Sequence, residues 1–115
     1  MISDVFCKII NGELPAERVF EDDDYLVVKD INPVAPVHWL IMPKKHFEKL
    51  DDFGKKDVEL LGGALRLADK LAHERGLLKG YRLIINEGED GGKLVPHLHI
   101  HLLGGKRLGQ KIVQD

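Results

Sequence analysis

The order of hydrophobic and polar positions divides the chain into short apolar runs and two helical stripes. The clearest run is Pro96-His97-Leu98-His99-Ile100-His101-Leu102-Leu103-Gly104-Gly105, in which three histidines alternate strictly with Leu98, Ile100 and Leu102. A period of two marks a half-buried strand. The pattern predicts a strand over 97–103 with His97, His99 and His101 on one face, about 6.5–7 Å apart. Val37-His38-Trp39-Leu40-Ile41-Met42, closed by Pro43, predicts a second strand. Its Val37, Trp39 and Ile41 face one way, and His38, Leu40 and Met42 the other. Arg18-Val19-Phe20 and Tyr25-Leu26-Val27-Val28 are two more strand-like runs around Glu21-Asp22-Asp23-Asp24, a quartet with turn chemistry. Tyr81 to Asn86 is another strand.

Helical spacing appears twice. Val5, Phe6, Ile9 and Ile10 predict a short helix capped by Ser3 or Asp4 and ended by Asn11-Gly12. Asp57 to Arg75 predicts the one long helix, with Val58, Leu61, Leu65, Ala68 and Ala72 as its stripe, widened by Leu60, Leu67 and Leu71. Gly76 follows as its cap, and His73 near its end reads as a surface residue. Each glycine of Gly62-Gly63 costs the helix roughly 1 kcal/mol relative to alanine. The pair therefore marks a close approach by another element, either this chain's sheet or a partner's helix. Asp30 to Pro36 is a loop held open by two prolines, and Glu87 to Gly92 is a glycine-rich loop leading into the histidine strand. A short helix, three strands, a long helix and two strands predict an α+β domain with an antiparallel sheet over residues 1–115. The segment 106–115 is polar and carries no readable pattern.

Composition narrows the function. The chain has 17 basic and 19 acidic residues, a formal net charge of −2. That balance argues against a nucleic-acid polymer as partner but leaves room for a single nucleotide, which needs only a local anion site. One cysteine, Cys7, excludes an internal disulfide and fits a reducing compartment. No apolar run approaches the ~20 residues that span a bilayer, and the amino terminus lacks a signal-peptide core. A cytoplasmic enzyme or binding module, with no membrane partner, is the expectation.

Three alternating histidines support three chemistries. They could hold a zinc ion with an open position for water. One of them could act as a nucleophile on phosphorus, forming a nucleotidyl-histidine that water then resolves, with its neighbours orienting it and holding phosphate oxygens. Backbone N–H groups at Gly91-Gly92 suit the same anion. The third reading is a phosphate- or nucleotide-binding module without turnover. His38, on the neighbouring apolar strand, is a candidate for the same site.

The motif His97-Leu98-His99-Ile100-His101-Leu102-Leu103 resembles the signature of the histidine triad (HIT) superfamily. Lys8-Ile9-Ile10, Glu13-Leu14-Pro15-Ala16, Asp30-Ile31-Asn32-Pro33, Ala35-Pro36-Val37-His38, Pro43-Lys44-Lys45-His46, Asn86-Glu87-Gly88 and Leu103-Gly104-Gly105 resemble its Hint branch, in order and with matching spacing. The resemblance implies a five-stranded antiparallel sheet, with two copies pairing into a continuous ten-stranded sheet. It implies hydrolysis of the P–N bond of purine nucleoside phosphoramidates, of the AMP-lysine type, rather than cleavage of dinucleoside polyphosphates or nucleotide-dependent regulation. His99 matches the nucleophile, His101 and His38 the phosphate contacts, and His97 the residue that orients the central ring. Asp30 matches the acceptor of ribose hydroxyls, Asn86 and Gly92 lie at positions near the phosphate, and Phe6, Ile9 and Ile31 match the purine slot. Lys93-Leu94 departs from the Gln-Ser or Gln-Glu of many relatives, and Pro96 from a common tyrosine. Leu94 offers no hydrogen bond near the leaving group, whereas Lys93 supplies a cation on the phosphate side. No metal is required for catalysis. Some relatives carry a structural zinc, and Cys7, His46 and His97 match three of its ligands, with Asp4 in place of the fourth. The apolar run Leu83-Ile84-Ile85 and the Gly62-Gly63 helix are expected to meet their copies across a two-fold axis. The tail 106–115 reaches toward the neighbouring subunit in relatives.

Overall fold

The computed structural model describes residues 4–110. Five strands form one antiparallel sheet: β1 (Arg18–Glu21), β2 (Tyr25–Lys29), β3 (Val37–Pro43), β4 (Tyr81–Ile84) and β5 (Ile100–Gly104), in the order β1-β2-β3-β5-β4. The short helix α1 (Val5–Ile10) precedes them, and the long helix α2 (Val58–Glu74) joins β3 to β4 after two turns of 3-10 helix at Leu50–Asp52 and Lys55–Asp57.

Local chemistry sets these boundaries. Asp4 caps α1, its Oδ1 accepting from Cys7 N–H at 2.7 Å; the alternative cap, Ser3, lies outside the described residues. Asp22 closes the β1–β2 hairpin by accepting from Asp24 N–H at 2.8 Å and Tyr25 N–H at 2.7 Å, which is the turn chemistry expected of the acidic quartet. At the end of α2, Gly76 and Leu77 N–H groups bond back to the carbonyls of His73 and Ala72.

The sheet is covered on both faces. Val27, Val37, Trp39, Ile41, Ile100 and Leu102 pack against Ala64, Leu67, Ala68, Leu71 and Ala72 of α2. On the opposite face Leu26, Val28, Leu40 and Met42 pack under Phe6 of α1. The strand faces of 37–42 are thus as the alternation predicts. The buried stripe of α2 holds at Leu67, Ala68, Leu71 and Ala72 and fails at two positions. Val58 and Leu65 are 59% and 41% exposed, and Ala64 takes their place in the core at 1%. Alanines at 64, 68 and 72 let the helix axis sit close to the sheet, so the small residues face inward and the larger aliphatics flank them.

Gly63 shows the close approach anticipated for the glycine pair. A Cβ there would stand 2.3 Å from the hydroxyl of Tyr25, which donates to the Leu60 carbonyl at 2.6 Å. The neighbour is this chain's own sheet. Gly63→Ala is expected to cost about 1–3 kcal/mol through overpacking. Thermal melts should recover most of the loss in Tyr25→Phe/Gly63→Ala, because the hydroxyl that fills the space is gone; equal losses in both variants would contradict this.

Candidate active site

The pairing of β3 with β5 sets His38 opposite Leu103 and Leu40 opposite His101, which puts His38 and His101 diagonally on the α1 face. Their rings meet, His38 Nε2 lying 3.0 Å from His101 Nδ1. The partners assign the protons. Val34 N–H donates to His38 Nδ1 at 3.2 Å, so neutral His38 carries its hydrogen on Nε2. That hydrogen serves His101 Nδ1 and Asp30 Oδ2, the latter 3.3 Å away. His101 accepts on Nδ1 and therefore presents Nε2–H.

His99 is 8% exposed, and its ring stands edge-on to Phe6 and His101 with centroids 4.9 and 5.0 Å apart. Its Nδ1–H donates to the His97 carbonyl at 2.8 Å, which leaves the Nε2 lone pair free. Burial lowers the pKa of His99 below its ordinary value, and the Lys93 charge adds to this. Burial, with His99 and His38 close by, lowers His101 to about 4. Both rings are neutral at neutral pH. A neutral imidazole with an unspent Nε2 lone pair and a fixed N–H donor thus sit beside a carboxylate-anchored His38, an arrangement chemically suited to attack on phosphorus.

His97 also lies on the α1 side, its ring edge-on to Phe6, but it belongs to a different donor cluster from His101. The ladder of β5 begins at Ile100, and the segment before it is held by Leu98 N–H donating to the Phe47 carbonyl at 2.6 Å. His97 is fully buried; its Nε2–H donates to the Pro43 carbonyl at 3.0 Å, and its Nδ1 turns toward Asp4 and Cys7. A strand of three stacked imidazoles serving one zinc ion is therefore not what forms, since His97 and His101 belong to different clusters. His97 still bears on the site, through the backbone carbonyl that orients His99.

Asp4, Cys7, His46 and His97 bring donor atoms within 4.8 Å of one another. Asp4 Oδ2 lies 3.3 Å from Nδ1 of both His46 and His97, and Cys7 Sγ lies 3.4 Å from His46 Nδ1. That carboxylate oxygen is buried without a hydrogen-bond partner, and burial lowers the pKa of the His97 ring facing it. Lone pairs converge here with little to satisfy them, so one carboxylate, one thiol and two imidazoles fit a tetrahedral zinc.

The remaining sequence candidates are spread around the triad. Phe6 is buried against His99 and Ile9 is partly buried in the same cluster, while Ile31, on the loop after Asp30, is 89% exposed. Asp30 uses Oδ1 on Asn32 N–H at 2.8 Å as well as Oδ2 on His38. Asn86 donates to the Gly91 carbonyl at 2.7 Å, bracing the glycine loop in front of Gly92. The Lys93 ammonium is engaged by Glu48 and Glu87. The main-chain groups of Val34, Pro43 and Phe47 that position the imidazoles have no signature in side-chain pattern.

Comparison with known proteins agrees with this geometry. The HIT domain family model matches residues 11–108. An uncharacterized HIT-like protein of Chlamydia muridarum is 50% identical over 105 residues, covering 91% of this chain and 83% of that protein. The crystal structure of a HIT family hydrolase from Legionella pneumophila is 48% identical with a TM-score of 0.89, covering 93% of this chain and 96% of that one. A histidine triad nucleotide-binding protein from Candida albicans is 30% identical with a TM-score of 0.80, covering 98% of this chain and 86% of that one. With the family model matching most of the chain and a relative half identical over 91% of it, the chain belongs to the HIT domain family.

Proposed function

We propose that the protein hydrolyses the P–N bond of purine nucleoside phosphoramidates through a nucleotidyl-His99 intermediate. The observation that carries this reading is the His99 tautomer: Nδ1–H is spent on the His97 carbonyl, so a neutral Nε2 faces the site. The Nε2 lone pair attacks phosphorus in line, the P–N bond breaks, and the amine leaves with a proton taken from solvent. His101 Nε2–H steadies a phosphoryl oxygen, and Asp30 holds His38 and offers its remaining lone pairs to the ribose hydroxyls. Water then attacks the same phosphorus, breaking the P–Nε2 bond and releasing the nucleoside monophosphate. Phe6, Ile9 and Ile31 line the base, and Asn86, Gly92 and Lys93 flank the phosphate. The HIT hydrolase from Legionella pneumophila and the nucleotide-binding protein from Candida albicans support a hydrolase acting on nucleotides.

Rapid alkaline quench of wild type with an adenosine phosphoramidate, followed by peptide mass spectrometry under non-acidic conditions, should find AMP on the peptide containing His99. Label on another residue, or hydrolysis with none on His99, would overturn the assignment. A nucleotide-binding regulator would bind AMP and release no amine at all.

Two structural companions belong to the proposal. Zinc held by Asp4, Cys7, His46 and His97 would fix α1 to the triad segment. Protein purified without added metal should then contain stoichiometric zinc, and Asp4→Ala should lose it; a content near zero refutes this. Pairing of two copies through the open edge of β4 and through α2 should give a dimer by light scattering at micromolar concentration. No helix among the described residues is long and apolar enough to cross a membrane.

A further inference from the structure

Lys93 is a long charged side chain that is only 9% exposed. Its ammonium donates to the Glu48 carbonyl and lies 3.6 Å from Oε1 of Glu87. Glu87 accepts Leu50 N–H on Oε2 at 3.0 Å, while its Oε1 is buried with no hydrogen-bond partner. The two residues end one closed loop: Lys93 N–H bonds the Gly88 carbonyl at 3.1 Å. Within it, a Cβ on Gly91 would stand 2.2 Å from the Glu87 carbonyl oxygen. Such a loop fixes the backbone and leaves the two side chains as its adjustable part.

A made ammonium–carboxylate hydrogen bond is about 2.7–2.9 Å long. At 3.6 Å the Lys93–Glu87 pair is slack, and the buried oxygen that should receive the proton goes without it. The lysine charge is thus incompletely neutralised, and it sits beside the triad segment: the Glu48 carbonyl that it meets follows Phe47, whose own carbonyl holds Leu98 N–H next to His99. We propose that Lys93 is an exchangeable anion contact: Glu87 holds its ammonium while the site is free, and the phosphate of a nucleotide at His99 competes with Glu87 for it. This rests on the nucleotide reading above.

The proposal separates from a purely structural staple by sign. If the pair only braces the loop, weakening either partner loosens it, and Glu87→Gln and Lys93→Met impair binding together. If Glu87 competes with phosphate, the two act in opposite directions. Calorimetry with AMP and with adenosine, on variants whose melting confirms folding, reads this directly. Lys93→Met is expected to weaken AMP by about tenfold. Glu87→Gln keeps an oxygen for Leu50 N–H and should tighten AMP by about threefold. Lys93→Arg should stay near wild type, and adenosine, which lacks the phosphate, should not respond to any of them. Glu87→Gln and Lys93→Met shifting AMP in the same direction, or neither shifting it, overturns the exchange while leaving the nucleotide reading intact. A wild type that binds no AMP removes that reading, and the exchange with it.

Discussion

His99→Ala is expected to lower turnover of a fluorogenic adenosine phosphoramidate by at least about 10³-fold, the scale on which losing a nucleophile is felt. AMP affinity should change only a few-fold, because the ring makes the covalent step and not the bulk of the contacts. The prediction follows from the fixed tautomer. An imidazole whose Nδ1–H is held by a backbone carbonyl has one reactive atom and one direction of attack. Water placed in the vacated space would have to reach phosphorus without activation. Comparable turnover in wild type and His99→Ala would end the nucleophile assignment. Because burial lowers the His99 pKa, the nucleophile stays unprotonated through neutral pH, and the acid limb of the rate profile should fall below the ordinary histidine value of 6.5.

Acidification should also destabilise the protein, through a group that can be named. His101 has a folded-state pKa of about 4 against an ordinary 6.5. The depressed group is a base kept neutral by the fold. As pH falls through 6.5 the unfolded chain takes up a proton that the native state refuses until about pH 4. Stability present above pH 6.5 is therefore lost between 6.5 and 4, by up to about 3 kcal/mol. Solvent around this partly exposed ring trims the effect to about 2–3 kcal/mol. Buried His97 shifts the same way and adds to the slope. Thermal melts of wild type should drop by on the order of 10 °C across that window. His101→Gln, which cannot titrate, should show a shallower decline; parallel curves for the two would contradict the assignment.

Much of this was legible in the residues, and the exceptions have physical causes. Alternation along 37–42 assigned the two faces of β3 correctly, because a strand with both faces covered has no freedom to rotate. The inward stripe of the long helix was legible at Leu67, Ala68, Leu71 and Ala72 but not at Ala64, because the pattern weights large aliphatics such as Val58 and Leu65, whereas packing against the sheet selected a small residue. The strand read over 81–86 ends at Ile84, ahead of the glycine loop. His97 was placed with its neighbours because periodicity sees only adjacent residues. The family resemblance set it with Asp4, Cys7 and His46 instead, and only the Pro43 carbonyl on its other ring nitrogen left no mark in the sequence. The role of Lys93 was legible as a charge near phosphate, but not its engagement with Glu87, since a cross-loop pair leaves no mark on spacing.

Asp4 has a consequence for handling the protein. One of its oxygens starts the first helix and the other reaches the ring of His97, whose carbonyl aims the reactive imidazole. A single side chain at the start of α1 is thus linked, through His97, to the imidazole proposed as the nucleophile. Affinity tags or trimming that disturb this position should register as slower chemistry before they register as poorer folding. An untagged amino terminus is the appropriate starting material for kinetics.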